Sequence, residues 1–414
     1  MFKVEFLLLF MFENSLRVRN FGPIKEGYKE NDGFIPFNQL CVFCGTQGTG
    51  KSTIVKLYST FVWLEKAIVR GDFKPSYVEQ YNRFPKFLDY QGIKNYLKED
   101  TELWYKGQCV DFFYSEKLVV DYHNRGGEAY DRPQIMYFPA ERTLLSVIEK
   151  ASGIKGMPPS LATLLEDYRL ACRAFSGDLP LPINGVNFHY DRLNQIASLV
   201  APDYKVRLSE ASSGLQTLSP LYVTLHYLSD TIDTDESSST SGDEEEKIDK
   251  RINDLLRDDT LSEELRSKLI KKLSNNRNSR LVNIIEEPEQ NLFPDSQEKI
   301  LHQLIALSAT QDNQLLFTTH SPYMLNYLML AIKAKEVAKV IVEMSDFNEL
   351  DAIVPCMSRI DGQRVTVYQL DLDGTIHQLE KYENMPSDEN YLNQHMMDIN
   401  RKYSSLLEIQ SRYE

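Results

Sequence analysis

The stretch "FCGTQGTGKST", Phe43 to Thr53, constrains this chain more than any other. It fits G-x-x-x-x-G-K-[ST], with Gly45, Gly50, Lys51 and Ser52 in the fixed places. Glycines at this spacing let backbone N–H groups close on phosphates. A lysine there reaches the β- and γ-phosphates, and the following hydroxyl ligates Mg²⁺. With Gly48 and Thr53, these residues form the expected ATP-binding set.

The flanks agree. Leu40 to Phe43, which contains Cys41 and is followed by Cys44, is a short apolar run, as a buried parallel strand requires. After Ser52, Ile54, Leu57, Tyr58, Phe61 and Leu64 recur at helical spacing. The expected order is strand, glycine loop and helix, with the helix dipole directed at the phosphates.

The 414 residues can bury a large core, and a content of 42% hydrophobic and 26% charged residues is ordinary for a soluble protein. The net charge of -14 argues against a nucleic-acid-binding surface throughout, while leaving room for a local basic groove. The apolar run in residues 1–11 is too short for a bilayer and lacks a cleavage site, so it reads as an edge strand or a start-site artefact. A cytoplasmic protein without a membrane partner is expected. Five cysteines fit reduced thiols, and Cys41 and Cys44, although spaced C-x-x-C, have no second pair and read as small strand hydrophobes.

A second buried strand should carry the acids of an ATPase. "RLVNIIEEPEQNLFP" supplies one, from Leu281 to Ile285, ending in Glu286 and Glu287. The first carboxylate is expected to order Mg²⁺, together with Ser52, and the second to polarise the attacking water. "QLLFTTHSP" is another apolar strand, ending at His320, where ligands bind in open parallel sheets. His320 is a candidate sensor of the γ-phosphate or the attacking water. In "LSEASSGLQTLSPL", Ser212, Ser213 and Gly214 form a small-residue turn opening a helix, whose free N–H groups suit the nucleotide of a neighbouring copy. Arg142, after the strand in "PQIMYFPAERTLL", reads as a phosphate neighbour, a subunit contact or a surface ion pair.

These motifs, in this order, resemble ABC-type ATPases of the OLD and Rad50-like branch. The resemblance spans Leu16 to Pro322, about three quarters of the chain, and includes "LRVRNFGPIKEG" as a first strand. It implies head-to-tail dimers with two ATPs sandwiched between one chain's P-loop and the other's signature, represented here by Ser213 and Gly214. Phe293 stands where such proteins often carry histidine, which weakens the assignment of that loop.

OLD proteins continue into a TOPRIM nuclease, but only 92 residues follow Pro322. Glu343, Asp371 and Asp373 offer carboxylates, yet "RVTVYQLDLDGTIHQL" reads better as a β-hairpin turning at Asp373-Gly374. Without an effector of its own, the chain is similar to the ATPase subunits of two-gene phage-defence systems such as PARIS and Septu. That resemblance implies a homodimer or higher oligomer, a separately encoded nuclease or toxin, and a phage-encoded trigger. A RecF-type repair ATPase, which has short arms and binds DNA, is the alternative. Rad50 or SMC proteins need far longer coiled coils, and transporter ATPases lack such an acidic insertion.

The expected architecture is α/β: an ABC-type P-loop core with an antiparallel flank, a helical insertion and a small C-terminal α+β extension. The expected divisions are core with P-loop at 1–60, a helical or mixed arm at 61–130, and core with signature at 131–229. An acidic loop and helical insertion follow at 230–280, then core with Walker B strand and His320 at 281–345, and a hairpin and helix at 346–414.

Overall fold

A computed structural model describes residues 14–123, 130, 132–148, 156–175, 177–232, 280–308 and 313–413. The apolar run at the N-terminus, the acidic loop and the helical pair expected after it lie outside the described residues.

The organising element is a seven-stranded sheet. Its strands are β2 (Gly27–Tyr28), β4 (Leu40–Gly45), β8 (Pro133–Phe138), β13 (Arg280–Glu286), β14 (Gln314–Thr319), β15 (Val365–Leu370) and β16 (Thr375–Gln378). They lie in the order β2-β16-β15-β4-β14-β13-β8. From β15 to β8 every neighbouring pair is parallel. Both faces are covered, which explains the unbroken apolar runs. In β4, Leu40, Val42 and Cys44 enter one core, and Cys41 and Phe43 enter the other.

On the second face lies α1 (Lys51–Arg70), which begins at the glycine loop and stops at Gly71, whose φ of 86° closes the helix in a left-handed cap. Ile54, Leu57, Tyr58, Phe61 and Leu64 are fully buried, as their spacing predicts. Each such side chain contributes about 1.5–3 kcal/mol by burial. A division at residue 60 would fall inside this continuous helix.

The antiparallel flank is a five-stranded sheet, from β1 (Ser15–Arg19), β3 (Ile35–Pro36), β5 (Glu102–Lys106), β6 (Val110–Ser115) and β7 (Lys117–Tyr122), in the order β3-β1-β5-β6-β7. Glu65 of α1 ties it down, accepting from Tyr105 Oη and Cys109 N, both at 2.7 Å. Burial pushes the Glu65 carboxyl up, and those hydrogen bonds offset part of the shift. Between flank and sheet runs α2 (Arg83–Tyr90). The other face carries α3 (Pro159–Ala174), α4 (Ser213–Ile232), α5 (Pro294–Ser308) and α6 (Pro322–Ala338). A small antiparallel sheet of β9 (Leu179–Pro180), β10 (Asn187–Asp191), β11 (Ile196–Val200) and β12 (Lys205–Arg207) precedes α4.

The expected hairpin forms as β15 and β16, with Gly374 at φ 85° and Asp373 accepting from Thr375 N at 2.9 Å. Its position differs from a terminal appendage, because β15 pairs in parallel along the whole of β4. Val365 and Val367 are buried against the central core, so the hairpin completes the sheet rather than extending it. Beyond it, α7 (Tyr391–Gln410) forms where a tail helix is expected and is largely exposed. Glu343 lies in a separate segment, just before a helix at Met344–Ile353. All five cysteines are free thiols. Among the described residues no helix is long and apolar enough to cross a membrane.

Candidate functional site

Three adjacent strand ends create the site. Thr319 of β14 pairs with Cys44 of β4, and Thr318 pairs with Glu286 of β13, so the glycine loop, His320 and the two glutamates emerge together. This is the carboxyl edge of a parallel sheet, where the helix N-termini and loops are free to hold ligands.

The glycines of the loop answer to sterics. Gly45 has φ 142°, and a Cβ there would meet Leu370 O at 2.4 Å. Gly50 has φ 102°, and its Cβ would stand 2.9 Å from Ile24 Cγ1. Gly48 takes φ 79° with open space around it, which leaves room for a ligand to approach the main chain. Lys51 Nζ donates to the carbonyls of Gly45 at 3.0 Å and Thr46 at 2.6 Å. Burial pulls its ammonium down to about 8, against the opposing pull of Glu287, Cys44, Glu289 and Glu286. Ser52 is half-buried and Thr53 buried at the start of α1.

On β13, Glu286 is 5% exposed. Its Oε2 accepts from Ala140 N at 3.3 Å, and its Oε1 is buried without a hydrogen bond, with Lys56 Nζ at 4.0 Å. A buried carboxylate oxygen with no donor suits a hydrated Mg²⁺. The residues present therefore fit an ATP–Mg²⁺ complex, held by the loop, Lys51, Ser52 and Glu286.

Glu287 is built differently. Its φ is 44°, a conformation L-residues seldom adopt, and its main chain is fastened on both sides. The Glu287 N–H donates to Thr318 O at 3.1 Å, and its carbonyl accepts from Gln290 N at 3.0 Å and from Arg142 Nη2 at 2.7 Å. The side chain meets His320 Nε2 at 3.3 Å. The hydrogen bond from His320 is the largest influence holding the Glu287 carboxyl below its usual range, with the charges of His320, Lys51 and Arg142 adding to it.

Two residues take positioning roles that the sequence reading did not assign to them. Arg142 is wholly buried, so the surface ion pair is not formed. It donates to the carbonyls of Pro139 at 3.2 Å, Glu286 at 2.6 Å and Glu287 at 2.7 Å, fixing the turn that aims both carboxylates. Burial lowers its guanidinium to about 10, and the surrounding glutamates resist that shift. Glu289, also buried, accepts from Thr319 Oγ1 at 2.7 Å and His320 N at 2.8 Å, locking the β14 end to the loop after β13. Burial pushes its carboxyl up. Spacing from Glu287 was the available signal for Glu289; for Arg142 there was none beyond its place after a strand.

Ser213 and Gly214 begin α4. Ser213 is exposed, whereas Gly214 packs so closely on the loop after β13 that a Cβ would stand 2.7 Å from Asn291 O. Asn291 Nδ2 also donates to Thr217 Oγ1 at 3.1 Å, so the start of α4 and that loop form one surface. Phe293 on the same loop is 76% exposed.

Strand, phosphate loop and helix, with an acid-bearing strand parallel to the first and separated from it by β14, define a mixed α/β fold of the ABC-type P-loop kind. A family model described as "AAA ATPase domain" matches residues 260–325, the stretch that includes Glu286, Glu287 and His320. No curated protein matches the chain. Among solved structures, the SMC head domain from Thermotoga maritima is 10% identical, covering 90% of this chain and 100% of that chain with a TM-score of 0.37. An SmcHead bound to the C-winged helix domain of ScpA is 12% identical over 88% of this chain and 96% of that chain, with a TM-score of 0.36. An Smc head domain with an extended coiled coil, bound to the C-terminal domain of ScpA derived from Pyrococcus furiosus, is 9% identical over 94% of this chain and 98% of that chain, with a TM-score of 0.38.

Proposed function

We propose that this chain is an ABC-type ATPase that hydrolyses ATP with water to ADP and phosphate, assembles head-to-tail through composite sites, and holds or controls a separately encoded effector in anti-phage defence. The observation that carries the ATPase reading is the convergence of Lys51, Glu286, Glu287 and His320 on neighbouring strand ends. Bound Mg²⁺ supplies charge neutralisation at the phosphates. Gly45, Gly48 and Gly50 let main-chain N–H groups approach the phosphates, and Lys51 exchanges its carbonyl partners for phosphate oxygens. Glu286 and Ser52 hold the cation side.

Glu287, kept ionised beside His320, orients and polarises the attacking water, while the Arg142 clamp holds it in its strained main-chain conformation. His320 reports on that carboxylate from the end of β14. Ser213, exposed at the start of α4, contributes to the site of a second copy, and Gly214 keeps the helix seated on the Asn291 loop. An exposed helix start that carries Ser213 is free to meet the nucleotide of a second copy across a subunit boundary. The assembly is thus a homodimer or a multiple of it, closed by ATP and relaxed by hydrolysis or by a phage-encoded trigger.

The defence role rests on the motif resemblance to the ATPase subunits of PARIS and Septu within the OLD-like branch. Native mass spectrometry of the chain co-expressed with its neighbouring gene product, with and without ATP and Mg²⁺, tests it. A stable complex that responds to nucleotide supports effector control. A chain that stays alone and only dimerises with ATP favours the RecF-like DNA-binding alternative, to be read from salt-dependent DNA binding.

A further inference from the structure

The last helix, α7, is fastened at its start. Tyr391 N donates to Gln369 Oε1 on β15 at 2.8 Å, and Leu392 is the buried side chain of the helix. Gln369 pairs with Cys44 at the end of β4, so α7 is rooted at the sheet edge that carries the phosphate loop. From Ile399 to Tyr413 every residue is exposed, and the helix therefore projects from the body. Helices in proteins take most of their stability from packing an amphipathic face, and this one leaves such a face open.

The pattern on that face is stricter than a core-facing stripe. Leu392, Met396, Ile399, Tyr403, Leu406 and Gln410 follow one another at intervals of four, three, four, three and four residues. That is the a and d spacing of a coiled coil, with Met396 and Tyr403 at a and Ile399 and Leu406 at d. These four side chains are 45–65% exposed, so the seam is present and uncovered. Leu407 and Ile409 flank it and widen the apolar strip. The charges keep clear of it: Asp398 and Arg401, paired at 3.0 Å, and Glu408 lie on the outer face, and of the lysines, arginines and acids of α7 only Lys402 flanks the seam. Opposite charges at flanking positions select a different helix as partner, and like charges bar a second copy; neither is built in here, and the seam matches itself. In a parallel pair each layer sets a residue against its own copy, and the Gln410 amide, which both donates and accepts, meets an equal one. The nearly balanced charge is a poor match for an anionic membrane, which calls for a polar face rich in lysine and arginine.

We propose that α7 pairs with the α7 of a second copy as a short parallel coiled coil, an interface that forms without nucleotide. Its consequence, a higher effective concentration of one copy at the other's phosphate loop, rests on the composite-site reading above. The pairing itself does not. Sedimentation velocity of the full chain without ATP or Mg²⁺ tests it. Expected is a monomer–dimer equilibrium in the micromolar range, weaker by about tenfold or more in Leu406→Lys and within about twofold of the original in Glu408→Lys, which adds the same side chain to the outer face. Both positions are exposed, so neither substitution disturbs the core. In a Cys356→Ser background, which removes the exposed cysteine, Leu406→Cys should link into a disulfide dimer on mild oxidation and Glu408→Cys should not. A chain that stays monomeric up to about 100 μM, dimerisation equally affected by the two lysine variants, or equal cross-linking at both positions overturns the proposal. Nucleotide-free pairing that is lost in Leu406→Lys, in a chain with no ATP turnover, would support this interface and count against the ATPase reading alone.

Discussion

His320 Nε2 stands 3.3 Å from Glu287 Oε1, joining the ends of two adjacent parallel strands. The contact sets the ionisation of the carboxylate and couples it to the β14 end. Glu287→Gln is expected to keep ATP binding, to lower turnover by about 10²-fold or more, and to accumulate the closed assembly. An unaltered rate would move the role to Glu286 or Glu289. In His320→Asn, the Glu287 pKa rises toward its ordinary value. A carboxylate with a lowered pKa loses function only as pH falls through that value, so the acid limb of the pH–rate profile should shift to higher pH. A superimposable profile would refute the coupling.

Lys51 is expected to set the alkaline limit of nucleotide binding. Its ammonium, near 8, lies below the ordinary lysine value and loses its proton as pH rises past that point. Phosphate favours the charged form, so ATP binding should take up a proton above pH 8, and affinity should fall by up to about tenfold per pH unit there. Calorimetry in two buffers of different ionisation enthalpy measures the uptake. Lys51→Arg, charged throughout, should flatten the dependence, and Lys51→Ala should abolish nucleotide binding or turnover. Unchanged turnover in Lys51→Ala would end the P-loop assignment.

Arg142 is expected to matter to both stability and rate. Arg142→Met leaves three buried carbonyl groups without their shared donor and should destabilise the chain by roughly 3 kcal/mol. Turnover should fall at least about tenfold with ATP affinity much less affected, because the hydrogen bonds of Arg142 go to the carbonyls around Glu287. Thermal melting and steady-state kinetics read the two effects. Loss of affinity at constant rate would contradict a positioning role.

Ser213→Arg should impair turnover while leaving ATP binding to the isolated chain intact. Mixed with Lys51→Ala, it should behave as half of a composite site, since a dimer of one of each retains one site with an intact P-loop and an intact signature. Activity of the mixture equal to the average of the two separate variants would reject a shared site.

Much of the site was legible because its parts are local. A phosphate loop needs glycines at set intervals, a strand bearing terminal acids is a contiguous apolar run, and α1 shows its face in its own periodicity. Arg142 carried no comparable mark. Its role comes from a side chain meeting groups far along the chain, as it meets the Glu286 carbonyl across 144 residues.

By itself, the sequence determined where the glycine loop lies, which strand ends in adjacent carboxylates and which strands are buried on both faces. Those properties follow from residue chemistry and short-range periodicity. Tertiary structure alone decided that the late strand β15 lies beside β4, that Arg142 clamps the carboxylate turn, and that Gly214 presses on Asn291. Each depends on the order in which crossovers return the chain to one sheet. Strand order is chosen by packing both faces of the whole sheet at once, and no local stretch encodes it.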